Sequence, residues 1–442
     1  MTAKKIQELS DFARFYGFHY DLCDAETLIR AYIIDMERGL AGSTSSLPMI
    51  PTHITTRRRN LAGKTVIALD AGGTNLRAAC VHFDESGIAR VVSEHKTAMP
   101  GTYGQLGEKR FFDDLAAACV PVFKAVDGTV DGMGFCFSFS LAMQSDGDGT
   151  ALAFGKEVDE PEVIGKPLGR CLKEALARRC IKAPEKIHLL NDTVATLLTG
   201  CAVANNAAVN GGKTDFVGFI LGTGMNIAYP EKNIPKTGFA NNDEPQIVVC
   251  ESGTFAIPYQ GAIDKEFDRL TKNAGTFWTE KMVSGAFLGP LNLLVLKKAV
   301  KEGLVKFNKS EELLAMDELA TKDLNTFLCN PLHDTGVIGS LFGGGENDAR
   351  AGVLFLGSII TERAALISGS VLAAVMRHID AGGDPLNPAF IAVEGTTFQK
   401  YHFMRQSLEA HLRVLLNARQ PCSYILQSVE QASLLGAAVA AV

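Results

Sequence analysis

The sequence predicts an α/β protein built from two domains or lobes, and three observations support this. The chain has 442 residues. This is longer than a domain with a single hydrophobic core normally is, so two domains are expected. Strand-like and helix-like segments alternate along most of the chain, as is typical of α/β proteins. A strand, a glycine-threonine turn and a second strand occur together twice, in distant parts of the chain.

The two glycine-threonine turns are the most specific of these observations. The first is Asp70-Ala-Gly-Gly-Thr-Asn75 and the second is Leu221-Gly-Thr-Gly-Met-Asn226. A single turn of this kind is also compatible with an ordinary β-hairpin in which glycine supplies a positive φ. Glycine further lets backbone N–H groups converge on an anion, because no Cβ blocks the approach. Two such turns facing each other across a cleft predict a protein that holds a polyphosphate, and hence a nucleotide-binding enzyme.

Periodicity predicts the elements in chain order. Residues 4–40 have helical periodicity, and Ile6, Leu9, Phe12, Phe15 and Tyr16 form one apolar stripe. Strands are predicted at 66–69, 76–83, 88–92, 132–140, 186–190, 216–220, 227–229, 390–394 and 424–427. Helices are predicted at 111–126, 168–179, 193–199, 263–270, 282–302, 350–379, 405–416 and from about Gln431.

Composition excludes several classes of partner. The formal net charge of −6 argues against a nucleic-acid surface, and the basic run Arg57–Arg59 is interpreted as a solvated connector. The N-terminus lacks the apolar stretch of a signal peptide, and no uninterrupted apolar run approaches the roughly 20 residues of a membrane span. Ten cysteines are scattered without a C-x-x-C pair, which favours buried free thiols. We expect a cytoplasmic protein with no membrane or nucleic-acid partner; protein partners are not predicted.

Asn191-Asp192 follows a predicted strand and precedes a predicted helix. Asn and Asp are favoured helix N-caps, so the pair can be interpreted as a helix start alone. Alternatively, Asp192 is a general base at the carboxyl end of a strand, where α/β proteins bind ligands. A carboxylate can take the hydroxyl proton in phosphoryl transfer, and the two interpretations are compatible.

Taken together, these segments resemble the hexokinases, which belong to the actin-like sugar kinase superfamily. The matching segments are Asp70–Arg77 (first phosphate motif), Gly134–Ser140 (sugar-binding strand), Leu190–Thr196 (catalytic segment), Leu221–Asn226 (second phosphate motif), Glu251 and Glu280 (sugar-binding glutamates) and Gly395-Thr396 (adenosine motif). The resemblance implies a two-lobed actin-like ATPase (ribonuclease H-like) fold around a central cleft. Residues 1–60 would pack on the large domain, 61–190 would form the small domain together with the C-terminal helix 428–442, and 191–427 would form the large domain.

The resemblance also implies an activity: transfer of the γ-phosphoryl group of MgATP to the 6-hydroxyl of glucose or a related hexose, with lobe closure. Asp192 would be the general base, and Lys156 would offset charge on the transferred group. The hexose would be held by Ser138, Lys156, Asn191, Asp192, Asn226, Glu251 and Glu280. The nucleotide would be held by Asp70, Gly72, Gly73, Thr74, Asn75, Gly222, Thr223, Gly224, Gly395 and Thr396, with Asp70 reaching Mg²⁺ through water.

The chain departs from the family pattern at Ser140, Gly155, Ala286 and Glu394. These departures bear on sugar and nucleotide preference more than on phosphoryl transfer. They motivate one alternative, a hexose-binding sensor of the same fold with weak catalysis. A second alternative, an actin-like ATPase or chaperone lobe, would leave the sugar-binding set unexplained. The zinc-containing bacterial glucokinases are disfavoured, because their cysteine cluster is absent from the sequence.

Overall fold

The computed structural model describes residues 1–57, 59–126, 129–154, 158–206, 215–239, 244–344, 346–418 and 421–442. Its helices are α1 (Ala3–Phe15), α2 (Ala25–Leu40), α3 (Glu108–Lys124), α4 (Leu168–Arg178), α5 (Asp192–Asn206), α6 (Ala262–Leu270), α7 (Trp278–Val283), α8 (Leu288–Lys301), α9 (Ser310–Ala315), α10 (Thr321–Cys329), α11 (Gly336–Gly339), α12 (Asn347–His378), α13 (Thr396–Lys400), α14 (Met404–Asn417) and α15 (Ala432–Ala440). Its strands are β1 (Ile50–Thr55), β2 (Thr65–Ala71), β3 (Asn75–Phe83), β4 (Ala89–Ala98), β5 (Gly132–Phe137), β6 (Ser140–Met143), β7 (Gly149–Ala153), β8 (Ile187–Leu190), β9 (Phe216–Leu221), β10 (Met225–Glu231), β11 (Gln246–Val249), β12 (Ala389–Glu394) and β13 (Tyr424–Ser428).

Two large sheets repeat one strand pattern. The first has the order β4-β3-β2-β5-β8, and the second has the order β1-β11-β10-β9-β12-β13. In each sheet a three-stranded antiparallel meander is followed by two strands that extend it in parallel from the meander's first strand. Strand β1 adds an antiparallel edge to the second sheet. Each glycine-threonine turn lies between the first two strands of its meander, so the two turns occupy equivalent places in the two sheets.

Helices α5 and α15 join the two sheets. α15 packs on β2 and β5 of the first sheet, α5 packs on β9 and β12 of the second, and the two helices pack against each other. Glycines allow the close approach at each layer: a methyl group at Gly134 would lie 1.9 Å from the carbonyl oxygen of Ala437, and one at Gly436 would lie 2.1 Å from that of Ala195. The two lobes therefore meet through a tightly packed pair of helices.

The N-terminal helices pack on the second sheet's lobe. α1 and α2 contact α12, a helix of 32 residues whose length and apolar composition would suffice to cross a membrane, although its most apolar stretch is 94% buried inside the protein. Leu9 and Phe12 of the predicted stripe are buried, but Ile6 is 40% and Phe15 80% exposed. The prediction is therefore wrong for Ile6 and Phe15, because α1 turns only part of the stripe toward the core.

One predicted helix, 282–302, is also wrong. The structure divides this segment into α7 and α8, with a connector at 284–287. In the connector, the Gly285 N–H donates to the Gly222 carbonyl oxygen at 2.8 Å, and the Ala286 N–H donates to that of Thr223 at 3.1 Å. These donors are used by the second glycine-threonine turn rather than by a continuous helix.

Candidate active site

The first glycine-threonine turn is a tight β2–β3 hairpin. The Gly72 N–H donates to the Asn75 carbonyl oxygen at 2.9 Å, and the Met99 N–H donates to that of Thr74 at 3.0 Å. Thr74 and Asn75 are exposed, and Gly73 lies between them and Gly72. The residue that follows β4 therefore holds the turn by a backbone hydrogen bond, while the tip of the turn is exposed to solvent.

Asp70 is the last residue but one of β2 and lies opposite Arg77 of β3. The Arg77 guanidinium donates to Asp70 Oδ2 through both Nη2, at 2.6 Å, and Nε, at 3.0 Å. The sequence prediction assigned a role to Asp70 and none to Arg77. The sequence contained the information needed to predict this pair, because counting residues outward from the hairpin turn places Asp70 and Arg77 directly across from each other.

The second turn is enclosed by two other segments. The Gly222 carbonyl oxygen accepts from Thr397 Oγ1 at 2.7 Å as well as from Gly285. A methyl group at Gly395 would lie 2.2 Å from the carbonyl oxygen of Leu221. The structure therefore brings the predicted adenosine segment, including Thr396, against the predicted phosphate turn.

Close approach, rather than a left-handed backbone, explains the glycines of the second turn. Neither Gly222 nor Gly224 adopts the positive φ that the hairpin interpretation requires. A methyl group at Gly224 would lie 2.6 Å from Glu280 Oε2, and one at Gly222 would lie 3.3 Å from the Cα of Gly395. The two glycines have no side chain, and this leaves room for Glu280 on one side of the turn and Gly395 on the other.

Asn191 and Asp192 begin α5. Asn191 Oδ1 accepts from the Val194 N–H at 2.9 Å, as an N-cap does. Asp192 Oδ1 accepts from Thr193 Oγ1 at 3.2 Å. The helix-start interpretation thus holds for Asn191, and the capping bond leaves the carboxylate of Asp192 for another task.

Three polar side chains of the second sheet's lobe converge beside this helix start. Asn226 Nδ2 donates to Glu251 Oε1 at 3.1 Å, while Asn226 Oδ1 accepts from the N–H groups of Ile227 and Ser252. Glu280 Oε2 accepts from the Met225 N–H at 3.2 Å. The structure therefore brings together Asn226, Glu251 and Glu280, which are predicted to bind one ligand.

The charge of Asp192 acts on two further carboxyl groups. Burial, together with the negative charges of Asp192 and Glu280, raises the pKa of Glu251 to about 7 against the opposing hydrogen bond from Asn226. Burial likewise raises the pKa of Glu394 to about 7, assisted by the charges of Asp192 and Asp70. Glu251 belongs to the Asn226–Glu280 group, whereas Glu394 precedes the Gly395 segment. Asp192 is therefore within electrostatic reach of both halves of the cleft. Glu394 was noted in the sequence only as a departure, yet it lies among these carboxylates.

On the other sheet, Ser138 follows β5. Its N–H donates to the Ala71 carbonyl oxygen at 3.0 Å, which places Ser138 beside the strand that leads to the first turn. Phe154, after β7, packs against the rings of Phe137 and Phe139, with centroids 5.8 and 5.2 Å apart. The predicted contributors Gly155 and Lys156 lie outside the described residues.

Comparisons with known proteins identify the family. Two hexokinase family models match, one over residues 16–202 and one over 216–442. Hexokinase-1 of Oryza sativa subsp. japonica is 27% identical over 434 residues, which cover 92% of this chain and 85% of that protein. The hexokinase from Schistosoma mansoni complexed with glucose superimposes with a TM-score of 0.77 at 20% identity, covering 99% of this chain and 98% of that one. A ROK family glucokinase from Streptomyces griseus in complex with glucose and AMPPNP has a TM-score of 0.50 at 20% identity, covering 85% and 99% of the two chains.

Fold and site together define a sugar kinase of two lobes, which confirms the predicted fold class. The chain belongs to the hexokinase family, and it is a hexose kinase. None of the comparisons supports the alternative of a sensor, and the family match removes the alternative of an actin-like ATPase or chaperone lobe.

Proposed function

We propose that the protein transfers the γ-phosphoryl group of MgATP to the 6-hydroxyl of glucose or a related hexose, with Asp192 as the general base. The observation that carries this proposal is Asp192 in the first turn of α5, from where its charge raises the pKa of both Glu251 and Glu394. The relatives from Schistosoma mansoni and Streptomyces griseus bind glucose, and the latter also binds AMPPNP. Their ligands agree with a site for two substrates.

The convergent polar group suits a sugar. A pyranose presents hydroxyls that donate and accept in a ring, and buried polar groups must find partners. Glu251 and Glu280 would accept from the hydroxyls, while Asn226, Asn191 and Ser138 offer further polar contacts. Sugar hydroxyls bound there would also donate to carboxylates that otherwise crowd each other.

Asp192 would accept the proton of the attacking hydroxyl. Proton removal by a positioned carboxylate requires hydrogen-bond reach, which its place beside Asn191 at the start of α5 would provide. Lys156 would offset the charge that develops on the transferred phosphoryl group. The attacking oxygen would then lie in line with the phosphoryl group it receives.

The nucleotide would lie against the two turns. Gly72 and Gly222 would line the nucleotide, although their N–H groups already donate within the two turns, to Asn75 and Gly224. Backbone N–H groups at Gly73, Thr74, Asn75, Thr223 and Gly224 would cradle the phosphates, and Gly395 and Thr396 would contact the adenosine. In the described part of the chain, no three His, Cys, Asp or Glu side chains converge as a complete metal site. Mg²⁺ commonly keeps several waters and takes one or two carboxylates plus substrate phosphates. The Asp70 carboxylate, which is paired with Arg77, would reach the ion through one of these waters, and its charge also acts on Glu394. When bound, Mg²⁺ neutralises phosphate charge.

The lobes would close on the substrates through α5 and α15. We propose the division into 1–60, 61–190 with 428–442, and 191–427, with the cleft between the two sheets, in a cytoplasmic protein. Closure would exclude water, which would otherwise compete with the sugar for the phosphoryl group.

A coupled assay over glucose, mannose, fructose and glucosamine tests the proposal. We expect phosphorylation of at least one hexose with MgATP, and loss of activity when EDTA removes the metal. Phosphate release that does not depend on any hexose would contradict the proposal, as would full activity in excess EDTA.

We expect the hexose KM to rise as the pH falls below about 7. Because the pKa of Glu251 is raised to about 7, its carboxylate becomes protonated in this range and no longer accepts hydrogen bonds from the sugar as an anion. With a pKa of about 7, roughly a tenth of the groups are ionised at pH 6, so the KM should rise roughly tenfold between pH 8 and pH 6. KM measured across this range checks the expectation. The Glu251→Gln variant is the control, because its KM should be high and insensitive to pH. Equal pH dependence in both proteins would contradict it.

The same shift affects folding with a defined sign. The folded Glu251 binds its proton up to a pKa of about 7, whereas its ordinary value is 4.5. Between these values the unfolded chain binds fewer protons, so this group lowers the free energy of unfolding as the pH rises through that window.

A further inference from the structure

Glu251 has an unusual backbone conformation. Its φ of 59° and ψ of 49° lie in the left-handed region, which non-glycine residues rarely adopt because the Cβ then crowds the following carbonyl oxygen. Such a conformation persists only where the surroundings over-determine it. The contacts that hold this turn therefore decide where the Glu251 carboxylate lies.

Part of the support comes from the second sheet's lobe itself. The Ser252 N–H donates to Asn226 Oδ1 at 3.2 Å, and the Thr254 N–H donates to the Glu251 carbonyl oxygen at 3.0 Å. These bonds fix one side of the turn.

The other side is held by the N-terminal segment, defined here as residues 25–49. Tyr32 of α2 and Ser252 share a hydrogen bond of 2.7 Å between Oη and Oγ, and both side chains are fully buried. The Tyr32 ring also packs edge-on against Phe255, with centroids 4.9 Å apart. A helix distant in sequence thus touches the residue next to Glu251.

The connector after α2 adds a second contact. Thr254 Oγ1 lies 2.5 Å from the Ser46 carbonyl oxygen and 2.7 Å from that of Glu251. The Ala256 N–H donates to Ser46 Oγ at 2.8 Å. Ser46 therefore makes two contacts, with Thr254 and Ala256, whereas Tyr32 contacts Ser252, which precedes them in the chain.

α2 also holds Ser46 in place. Asp35 follows Tyr32 by three residues, so the two share one face of the helix. The Asp35 carboxylate accepts from the Ser46 N–H at 3.1 Å and from Ser46 Oγ. One helix face thus reaches the Glu251 turn directly through Tyr32 and indirectly through Ser46.

We propose that the N-terminal segment is part of the hexose site, with Tyr32 and Ser46 as positioning residues that hold Glu251 in its strained conformation. The inference rests on the proposed role of Glu251 in binding the hexose. The segment also makes polar contacts that do not involve the residues flanking Glu251, from Arg377 to Glu26 and from Lys236 to the carbonyl oxygens of Pro48 and Met49. A role in stability alone is therefore the alternative that the experiment must exclude.

The experiment compares Tyr32→Phe with Tyr229→Phe. Tyr229 is a matched control, because it is also fully buried and its hydroxyl donates a buried hydrogen bond, to Glu231 Oε2 at 2.9 Å. For Tyr32→Phe and for Ser46→Ala we expect the hexose KM to rise about three- to tenfold with the nucleotide KM unchanged, as loss of one hydrogen bond predicts. Tyr229→Phe should lower Tm but leave the hexose KM within about twofold of the parent.

The double variant Tyr32→Phe/Ser252→Ala separates positioning from stability. Removing both partners leaves no buried hydroxyl unpaired, so we expect Tm to recover while the hexose KM stays raised. If the hexose KM recovers with Tm, or if Tyr32→Phe matches Tyr229→Phe, the inference is wrong. The Glu251→Gln variant distinguishes the two levels of the argument: if its hexose KM is raised, failure of Tyr32→Phe overturns the inference alone, whereas an unchanged KM overturns the role of Glu251 and the inference with it.

Discussion

Asp192→Asn should lower kcat by about a thousandfold while leaving the protein folded. The amide keeps the shape of the side chain and its place at the start of α5, but it cannot accept the proton of the attacking hydroxyl. Positioned general bases contribute roughly 10²- to 10⁴-fold to rate. Steady-state kinetics with saturating hexose and MgATP measure the effect, and a thermal melt confirms that the fold is retained.

Asp148→Asn is the matched control for a helix-start role. Asp148 is a buried aspartate that precedes β7, and its two carboxylate oxygens accept from the N–H groups of Gly169 and Arg170 at the start of α4. This variant should lower Tm and leave kcat near that of the parent. If Asp192→Asn lowers Tm but leaves kcat unchanged, as expected for Asp148→Asn, then Asp192 serves only to begin α5.

Gly436→Ala should reduce the free energy of unfolding by about 3 kcal/mol, at the upper end of the usual cost of overpacking. The added methyl group would lie 2.1 Å from the carbonyl oxygen and 2.4 Å from the Cα of Ala195. Both are backbone atoms of a helix, so no side chain can rotate away, and α15 and α5 must separate. Urea denaturation measures the change through the transition midpoint at constant slope.

Gly383→Ala is the control for the loss of a glycine as such. A methyl group at Gly383 meets no atom within 4 Å, and we expect the free energy of unfolding to change by less than about 0.5 kcal/mol. If Gly436→Ala and Gly383→Ala change the free energy of unfolding equally, α5 and α15 can move apart at little cost, and the prediction for Gly436 is wrong.

The sequence predicted best those features that local pattern determines. The apolar runs at 216–220, 227–229 and 390–394 predicted strands to within two residues at each end, because buried strands are short apolar runs bounded by turns. The glycine-threonine turns were recognised for the same reason: a turn needs particular residues at adjacent positions. Asn191 was interpretable as a cap because the helix signal follows it directly.

Features that depend on distant contacts were not predicted. Nothing within 282–302 indicates that the N–H of Gly285 will donate to Gly222, so the break between α7 and α8 is absent from the periodicity. The exposure of Phe15 depends on which face α12 covers. The bond from Tyr32 to Ser252 joins residues far apart in sequence, and neither residue carries a motif.

The packing of α15 has a consequence for synthesis of the chain. All five strands of the first sheet lie between Thr65 and Leu190, so they emerge from the ribosome as one contiguous block. α15, whose residues Leu434 and Ala437 share a core with Val66, Ala68 and Cys136, emerges only after the whole of the other lobe. A nascent chain must therefore carry an apolar sheet face without its covering helix during much of translation, which is a state prone to aggregation. Chaperone demand in cells should depend on this interval rather than on the stability of the finished protein.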